Sequence, residues 1–340
     1  MKTTMNKAII IWAVILFSAS TTVEGQDPHF TQYFASPLTL NPAMTGYFKG
    51  DYRISANFRQ QWWAVGSPFT TNTISYDTKL MQTKIPADDI FAAGILGLYD
   101  QSMSGAFKNI NVSATIAYHK NLDVDGTKSL SAGFQFTYAS RVLNFGDLNF
   151  ASQFNGSGFD TNIPSNETFG GSRRNYLDIN TGLLYTYKTE NTEYYLGASL
   201  YHLTGPNVSF LEDGKFSLPL RFTFHGGSRF KVGDNGSEIF IGGLYMEQVG
   251  ATEKTFGIAY GYSLSEEATI YAGSWYRIQD AIMPYVGLNY NSLQVGFSYD
   301  IVNSSLKKAN PKNGSFELSL NLLIKKPRNY YTNYKGGRIF

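Results

Sequence analysis

Polar and apolar residues alternate one for one along most of this chain. Near the start Tyr52, Ile54, Ala56, Phe58 and Trp62 fall on one side, with Arg53, Ser55, Asn57, Arg59 and Gln61 on the other. Successive side chains of a strand point to opposite faces, so a period of two predicts an extended ribbon with one greasy and one polar face. The pattern recurs with Leu218, Leu220, Phe222, Phe224 and Phe230 set against Arg221, Thr223, His225, Arg229 and Lys231. At the end Phe316, Leu318, Leu320, Leu322 and Ile324 alternate with Ser315, Glu317, Ser319, Asn321 and Lys325. Such segments are expected over 51–62, 68–78, 91–101, 107–119, 128–141, 176–188, 193–203, 217–231, 236–247, 252–264, 268–277, 279–290, 291–301 and 315–325.

A soluble antiparallel sandwich alternates in the same way, so the period alone does not choose between water and lipid. Length does. These segments run about 10 to 14 residues, beyond the ~5–6 usual in soluble sheets and close to the 9–11 that cross a bilayer on a tilt. Aromatic residues such as Trp62, Trp63, Tyr185, Tyr187, Tyr260, Tyr262, Trp275 and Tyr290 sit toward segment ends, where interfacial girdles belong. Hydrocarbon offers no partner to backbone amides, so the strands must close on themselves. The expected fold is therefore all-β, a transmembrane antiparallel barrel of about fourteen strands, as even-numbered bacterial barrels require.

With a periplasmic N-terminus, the tight turns at 189–192, 232–235, 265–267 and 290–292 fall at the periplasmic rim. The insert 143–175 and the loops 204–216 and 303–314 fall outside. Residues 80–89 are long for a periplasmic turn. The polar faces then line the lumen, where Arg53, Arg59, Arg221 and Arg229 are candidates to pair with Asp178, Glu238, Asp300 and Glu317. Gly133, Gly257, Gly261, Gly287 and Gly296 on the inward face suit strong curvature and crowded neighbours.

The two ends are different in kind. Lys2 and Lys7 precede the apolar run Ala8 to Phe17, and Val23-Glu24-Gly25 follows, which reads as a signal peptide over 1–25 with a mature start near Gln26. The run is too short for a membrane span, and the absence of cysteine rules out a lipoprotein anchor. Export followed by insertion as a barrel places the chain in the outer membrane. Residues 26–50 combine turn formers and aromatics without any strand period. They are expected to plug the periplasmic mouth of their own barrel, or else to form a partner-binding epitope. Residues 326–340, with Arg328, Lys335 and Arg338 among Tyr330, Tyr331 and Tyr334, are expected to be a periplasmic tail.

Charge and chemistry narrow the function. The chain has 28 Lys plus Arg against 26 Asp plus Glu, a net charge of +2, too balanced for a phosphate-backbone binder. It has no cysteine, so thiolate chemistry and disulfides are excluded. His29, His119, His202 and His225 lack metal-ligand spacing, and no nucleophile elbow or phosphate-binding Gly-rich loop is present. The expectation is no enzyme, no metal and no cofactor.

One ordered set of motifs is more specific. It comprises Gln26-Asp27-Pro28, Phe30-Thr31-Gln32-Tyr33, Asn41-Pro42-Ala43 with Gly46, Asn57-Phe58-Arg59-Gln60-Gln61-Trp62, Pro68, Ser75-Tyr76-Asp77, and the Gly94, Gly97, Asp100 spacing. In these residues the chain resembles the PorP/SprF family of type IX secretion outer-membrane proteins. The resemblance implies a barrel that helps secreted cargo reach or stay on the cell surface, a gliding adhesin in one branch. It also implies partners: a periplasmic ring of peptidoglycan-associated lipoproteins and the cargo's C-terminal domain. Phe30, Gln32, Tyr33, Asn41, Pro42, Ala43 and Gly46 are the candidate plug or partner-binding residues. The competing class is a passive or ligand-selective channel, which would carry steady ion currents.

Overall fold

The computed structural model describes residues 27–63, 67–86, 88–233, 235–304 and 314–325. The leader over 1–25 and the tail over 326–340 lie outside the described residues. Fourteen strands form one closed antiparallel barrel. In chain order they are β1 (Tyr52–Gln61), β2 (Phe69–Leu80), β3 (Ile90–Ser102), β4 (Phe107–Asn121), β5 (Lys128–Leu143), β6 (Arg173–Lys188), β7 (Thr192–Tyr201), β8 (Arg221–Val232), β9 (Ser237–Gln248), β10 (Ala251–Ser263), β11 (Ala268–Arg277), β12 (Ala281–Tyr290), β13 (Leu293–Val302) and β14 (Gly314–Ile324). Each strand pairs with its sequence neighbours, and β1 closes on β14 from Tyr52 opposite Ile324 to Gln61 opposite Ser315. Among the described residues no helix is long and apolar enough to cross a membrane. The strands do the crossing, and closure leaves no edge with unpaired amides.

The burial pattern is that of a water-soluble sheet turned inside out. On β1 the buried residues are Arg53, Ser55, Asn57 and Arg59; on β14 they are Ser315, Glu317, Ser319 and Asn321. Apolar side chains point outward: Ile74 is 63% exposed, Ile95 61% and Leu177 72%. An exposed apolar face all round the cylinder is stable only against lipid.

The rims differ. One carries the connections 81–89, 122–127, 189–191, 233–236, 264–267 and 291–292; the other carries the two longest, 144–172 and 202–220, beside the short 103–106, 249–250 and 278–280. Short turns mark the periplasmic side of such barrels and long loops the extracellular side. The unusually long 81–89 connection is tied down at its end. Asp89 accepts hydrogen bonds from Asn121 N (2.9 Å), Lys120 Nζ (2.9 Å) and Tyr118 Oη (2.5 Å), all at the end of β4.

One strand begins later than its alternation predicts. Leu218, expected on the lipid face, is buried in the loop before β8, where its N–H donates to Pro206 O at 2.8 Å. The next residue is Pro219, which has no N–H for a ladder, so pairing starts only at Arg221.

Candidate functional site

The lumen is occupied by the chain's own N-terminal segment. Residues 27–50 contribute no strand to the wall; they make short helical turns at Tyr33–Ala35, Pro37–Leu40 and Pro42–Met44. Proline at the start of two of these turns fixes φ where the missing N–H costs nothing. The segment is fixed to the wall by specific polar contacts at successive heights, because its backbone groups have neither a ladder nor water to satisfy them.

At the long-loop end Asp27 lies 2.5 Å from His202 Nε2 and 3.2 Å from Arg221 Nη1, and its N–H donates to Gln248 Oε1 at 2.9 Å. Asp178 holds the other nitrogen of His202 at 2.7 Å. Burial would push the Asp27 carboxyl up, but the adjacent His202 and Arg221 hold it well below the usual carboxylate range. Burial likewise opposes the charged form of His202, yet the two carboxylates raise its pKa above the ordinary value.

Lower down, Glu317 of β14 accepts the N–H groups of both Thr31 (2.7 Å) and Gln32 (3.0 Å). Gln32 also donates to Ser298 Oγ and accepts from Ser319 Oγ at 2.7 Å. Asp300 accepts from Thr31 Oγ1 at 2.8 Å and is bracketed by Arg59 at 3.1 Å and Arg277 at 3.3 Å. Buried charges survive only when paired and hydrogen-bonded, and here the segment supplies part of that pairing. At mid-height Phe34 stacks on Trp275 with centroids 4.9 Å apart, edged by Tyr33, Phe240 and Tyr285. This aromatic group sits in the apolar core of the lumen.

Asn41-Pro42-Ala43 then lies against a bare patch of wall. Asn41 is fully buried; its Oδ1 accepts from Ala43 N at 2.8 Å and its Nδ2 donates to Leu183 O at 2.9 Å. A Cβ on Gly182 would collide with Asn41 Oδ1, one on Gly133 with Ala43 N and the Pro42 carbonyl, and one on Gly197 first with the His225 ring and then with Asn41 Nδ2 at 2.8 Å. Glycine is needed on these three neighbouring strands for close approach. Toward the short-turn end His119 contacts Thr45 O at 2.7 Å and Asp77 accepts from Gly46 N at 2.7 Å. Arg53 reaches Asp77 through two hydrogen bonds, of 2.9 and 2.8 Å, and donates to Met44 O at 3.2 Å. Gly46 turns with φ +81°, a conformation L side chains rarely adopt. Tyr47 Oη donates to Glu193 at 2.6 Å and Asp51 N to Ile324 O at 2.9 Å. Among the described residues, cavities of about 60 and 30 Å³ lie beside the segment, room for a few waters.

A model of the type IX secretion system membrane proteins PorP/SprF matches residues 22–322. The chain belongs to the PorP/SprF family. It is thus an outer-membrane barrel and a membrane component of type IX secretion. No curated relative matches it. Among solved structures it is similar to the P. putida toluene transporter TodX, with 12% identity, TM-score 0.48, and 84% of this chain and 93% of that one covered. A Pseudomonas aeruginosa FadL homologue gives 12%, 0.49, 83% and 92%. The Acinetobacter baumannii outer membrane protein Omp33 gives 7%, 0.41, 81% and 98%. At such identities and scores these likenesses carry nothing about substrate or mechanism.

Several residues of the motifs singled out in the sequence seat the segment: Asp27, Gln32, Asn41 and Gly46 on it, Arg59 and Asp77 on the wall. Gly94 leaves space beside Asp77, whose Cβ would lie 2.8 Å from an added one. Phe30, Gln32, Tyr33, Asn41 and Ala43 are buried in the lumen. The segment expected at the periplasmic mouth instead runs the length of the barrel. Of the lumen charges, Arg59 meets Asp300 and Glu317 (3.9 Å), and Arg229 meets Glu238 at 3.8 Å. Arg53 pairs with Asp77, and Arg221 with Asp27, with Asp178 beyond His202. Arg277 and Glu253 are absent from the residues the sequence singles out, whereas Asp77 appears there only as a motif member and His202 only as a histidine without metal-ligand spacing. Inward parity is readable for the strand members, but their partners lie on distant strands or on a segment without a period: Arg277 meets Glu253 and Asp300, and Glu253 also meets His29.

At the long-loop rim the two large loops are stitched together. Phe169 bridges to Leu211, Phe145 stacks on Phe169, and Arg174 donates to Ser209 O and Gly170 O. Phe154, Phe159, Leu211 and Phe216 remain exposed there.

Proposed function

We propose that this PorP/SprF protein serves type IX secretion as a closed outer-membrane anchor that offers surfaces to partners, without a pore for solutes. The observation that carries this reading is the lumen, filled by residues 27–50 and held by buried ion pairs and hydrogen bonds at every height. A wall that binds its own chain this closely leaves the two rims as working surfaces. The platform of loops 144–172 and 202–220, with its exposed aromatics, suits a secreted cargo's C-terminal domain. The short-turn rim is the side for docking onto the periplasmic ring of peptidoglycan-associated lipoproteins. Transport or retention of a surface adhesin is the cargo role that the family resemblance implies for such an anchor, and no chemistry is asked of the barrel.

Two measurements test it together. In planar bilayers the purified full chain is expected to show no steady current, and gentle detergent extraction from the native membrane is expected to bring lipoprotein or cargo with it. A large steady conductance with no copurifying protein would favour the channel reading.

A further inference from the structure

The path of residues 27–50 has a direction. Asp27 is held by Gln248, the last residue of β9, by Arg221, the first of β8, and by His202, directly after β7. All three stand at the long-loop rim. The other end of the segment is fixed at the opposite rim, where Asp51 N donates to Ile324 O, the last residue of β14, and Gly50 packs against the same residue. Between these ends Thr31 and Gln32 meet Asp300 and Glu317 in the long-loop half of β13 and β14, the chain loops back so that Thr39 O lies 3.5 Å from Arg221 Nη2, and it then descends past Leu183 at Asn41 to Glu193, at the short-turn end of β7, at Tyr47.

The chain therefore traverses the lumen once before β1 starts, and again as the first strand of the wall. We infer that the mature N-terminus of this protein is displayed at the extracellular rim, next to the loop platform, while the last strand ends at the periplasmic rim. In a barrel with an even number of strands both termini would otherwise emerge on the same side. Here the threaded segment reverses one of them.

An assembly order follows. A leader still held in the inner membrane would keep Asp27 from reaching His202 and Arg221, so the leader is released first. The segment then enters the lumen before or as β1 closes on β14, since Tyr33 is buried and Phe34 packs against Trp275 and Tyr285 of the wall. The inference uses barrel orientation and lumen geometry alone, so it stands or falls separately from the cargo reading.

The absence of native cysteine makes the test direct. Gly-Ser-Cys is inserted between Gln26 and Asp27, and reaction with a membrane-impermeant maleimide is followed on intact cells. Ser157→Cys in the β5–β6 loop serves as the outside reference and Asn291→Cys in the β12–β13 turn as the inside one. The inserted cysteine is expected to react on intact cells at a rate within about tenfold of Ser157→Cys, while Asn291→Cys reacts only after permeabilisation. Reaction of the inserted cysteine only after permeabilisation, in a chain that keeps the heat-modifiable mobility of a folded barrel, would overturn the inference. If that insertion blocks assembly, the same cysteine on a longer Gly-Ser spacer is read in the same way. Inside-only labelling of that second variant is equally decisive against it.

Discussion

Three glycines and one asparagine show how local the fit is. Gly133, Gly182 and Gly197 lie on adjacent strands; the first two leave the volume that Asn41-Pro42-Ala43 fills, and Gly197 the space that His225 and Asn41 share. Gly182→Val keeps every ladder hydrogen bond of β6 yet places methyl groups where Asn41 Oδ1 sits. Overpacking of this kind costs about 1–3 kcal/mol. The cost is expected to fall on the segment and not on the barrel, as a tenfold or greater loss of amide protection over residues 38–46 with heat-modifiable mobility unchanged. Asp27 and His202 make a second local device. His202 has a pKa raised above its ordinary 6.5 by Asp27 and Asp178, against the effect of burial. A raised pKa means that the charged form is favoured in the folded state. Its contribution is fully present below 6.5 and is lost as pH rises through the raised native value. Proteolysis near residue 27 is therefore expected to accelerate as pH rises through that range. His202→Ala should abolish the pH dependence; a pH-independent rate in the unaltered protein would contradict it.

At the scale of the strand, parity does most of the work. A strand that buries Arg53, Ser55, Asn57 and Arg59 and turns the half-buried Tyr52, Ile54, Ala56 and Phe58 outward can be stable only with lipid on the second face. Ile74, central in β2 and outward, tests this: Ile74→Arg is expected to cost about 2–4 kcal/mol of folding stability in a bilayer. Thr73→Val, its inward neighbour, should cost less. Equal effects in folding titrations from urea into vesicles would argue against the assignment of faces. The alternation located all fourteen strands, with ends displaced by a few residues, because the period of two is a property of the strand itself. It missed where structure beyond the strand intervened. Leu218 continues the apolar parity of β8 but belongs to a loop that turns back on Pro206, and Pro219 delays the ladder.

For the whole molecule, occlusion and closure are separable. The wall is closed by hydrogen bonds between strands, including β1 with β14, whereas the lumen is closed by residues 27–50. Removing residues 27–46 is expected to leave a barrel that still inserts and to turn a silent protein into one that conducts steadily in planar bilayers. A deletion variant that inserts and stays silent would mean that the wall or the long loops seal the passage. Glu317, Asp300, Asp77 and Asn41's neighbours would then face water, so the deleted chain should also unfold at lower denaturant concentration.

The sequence by itself determined the strands, their two faces and, through the ordered motifs, the family, since each of these depends on residues close together in the chain. Only the tertiary structure decided the course of residues 27–50 and the partners of the buried charges. Thr31 meets Asp300 and Gln32 meets Glu317 across separations of 269 and 285 residues, and no local period encodes such a meeting. Parity fixes which side of the wall a residue occupies; which opposite charge stands across the lumen depends on barrel closure and on the direction in which the segment is threaded.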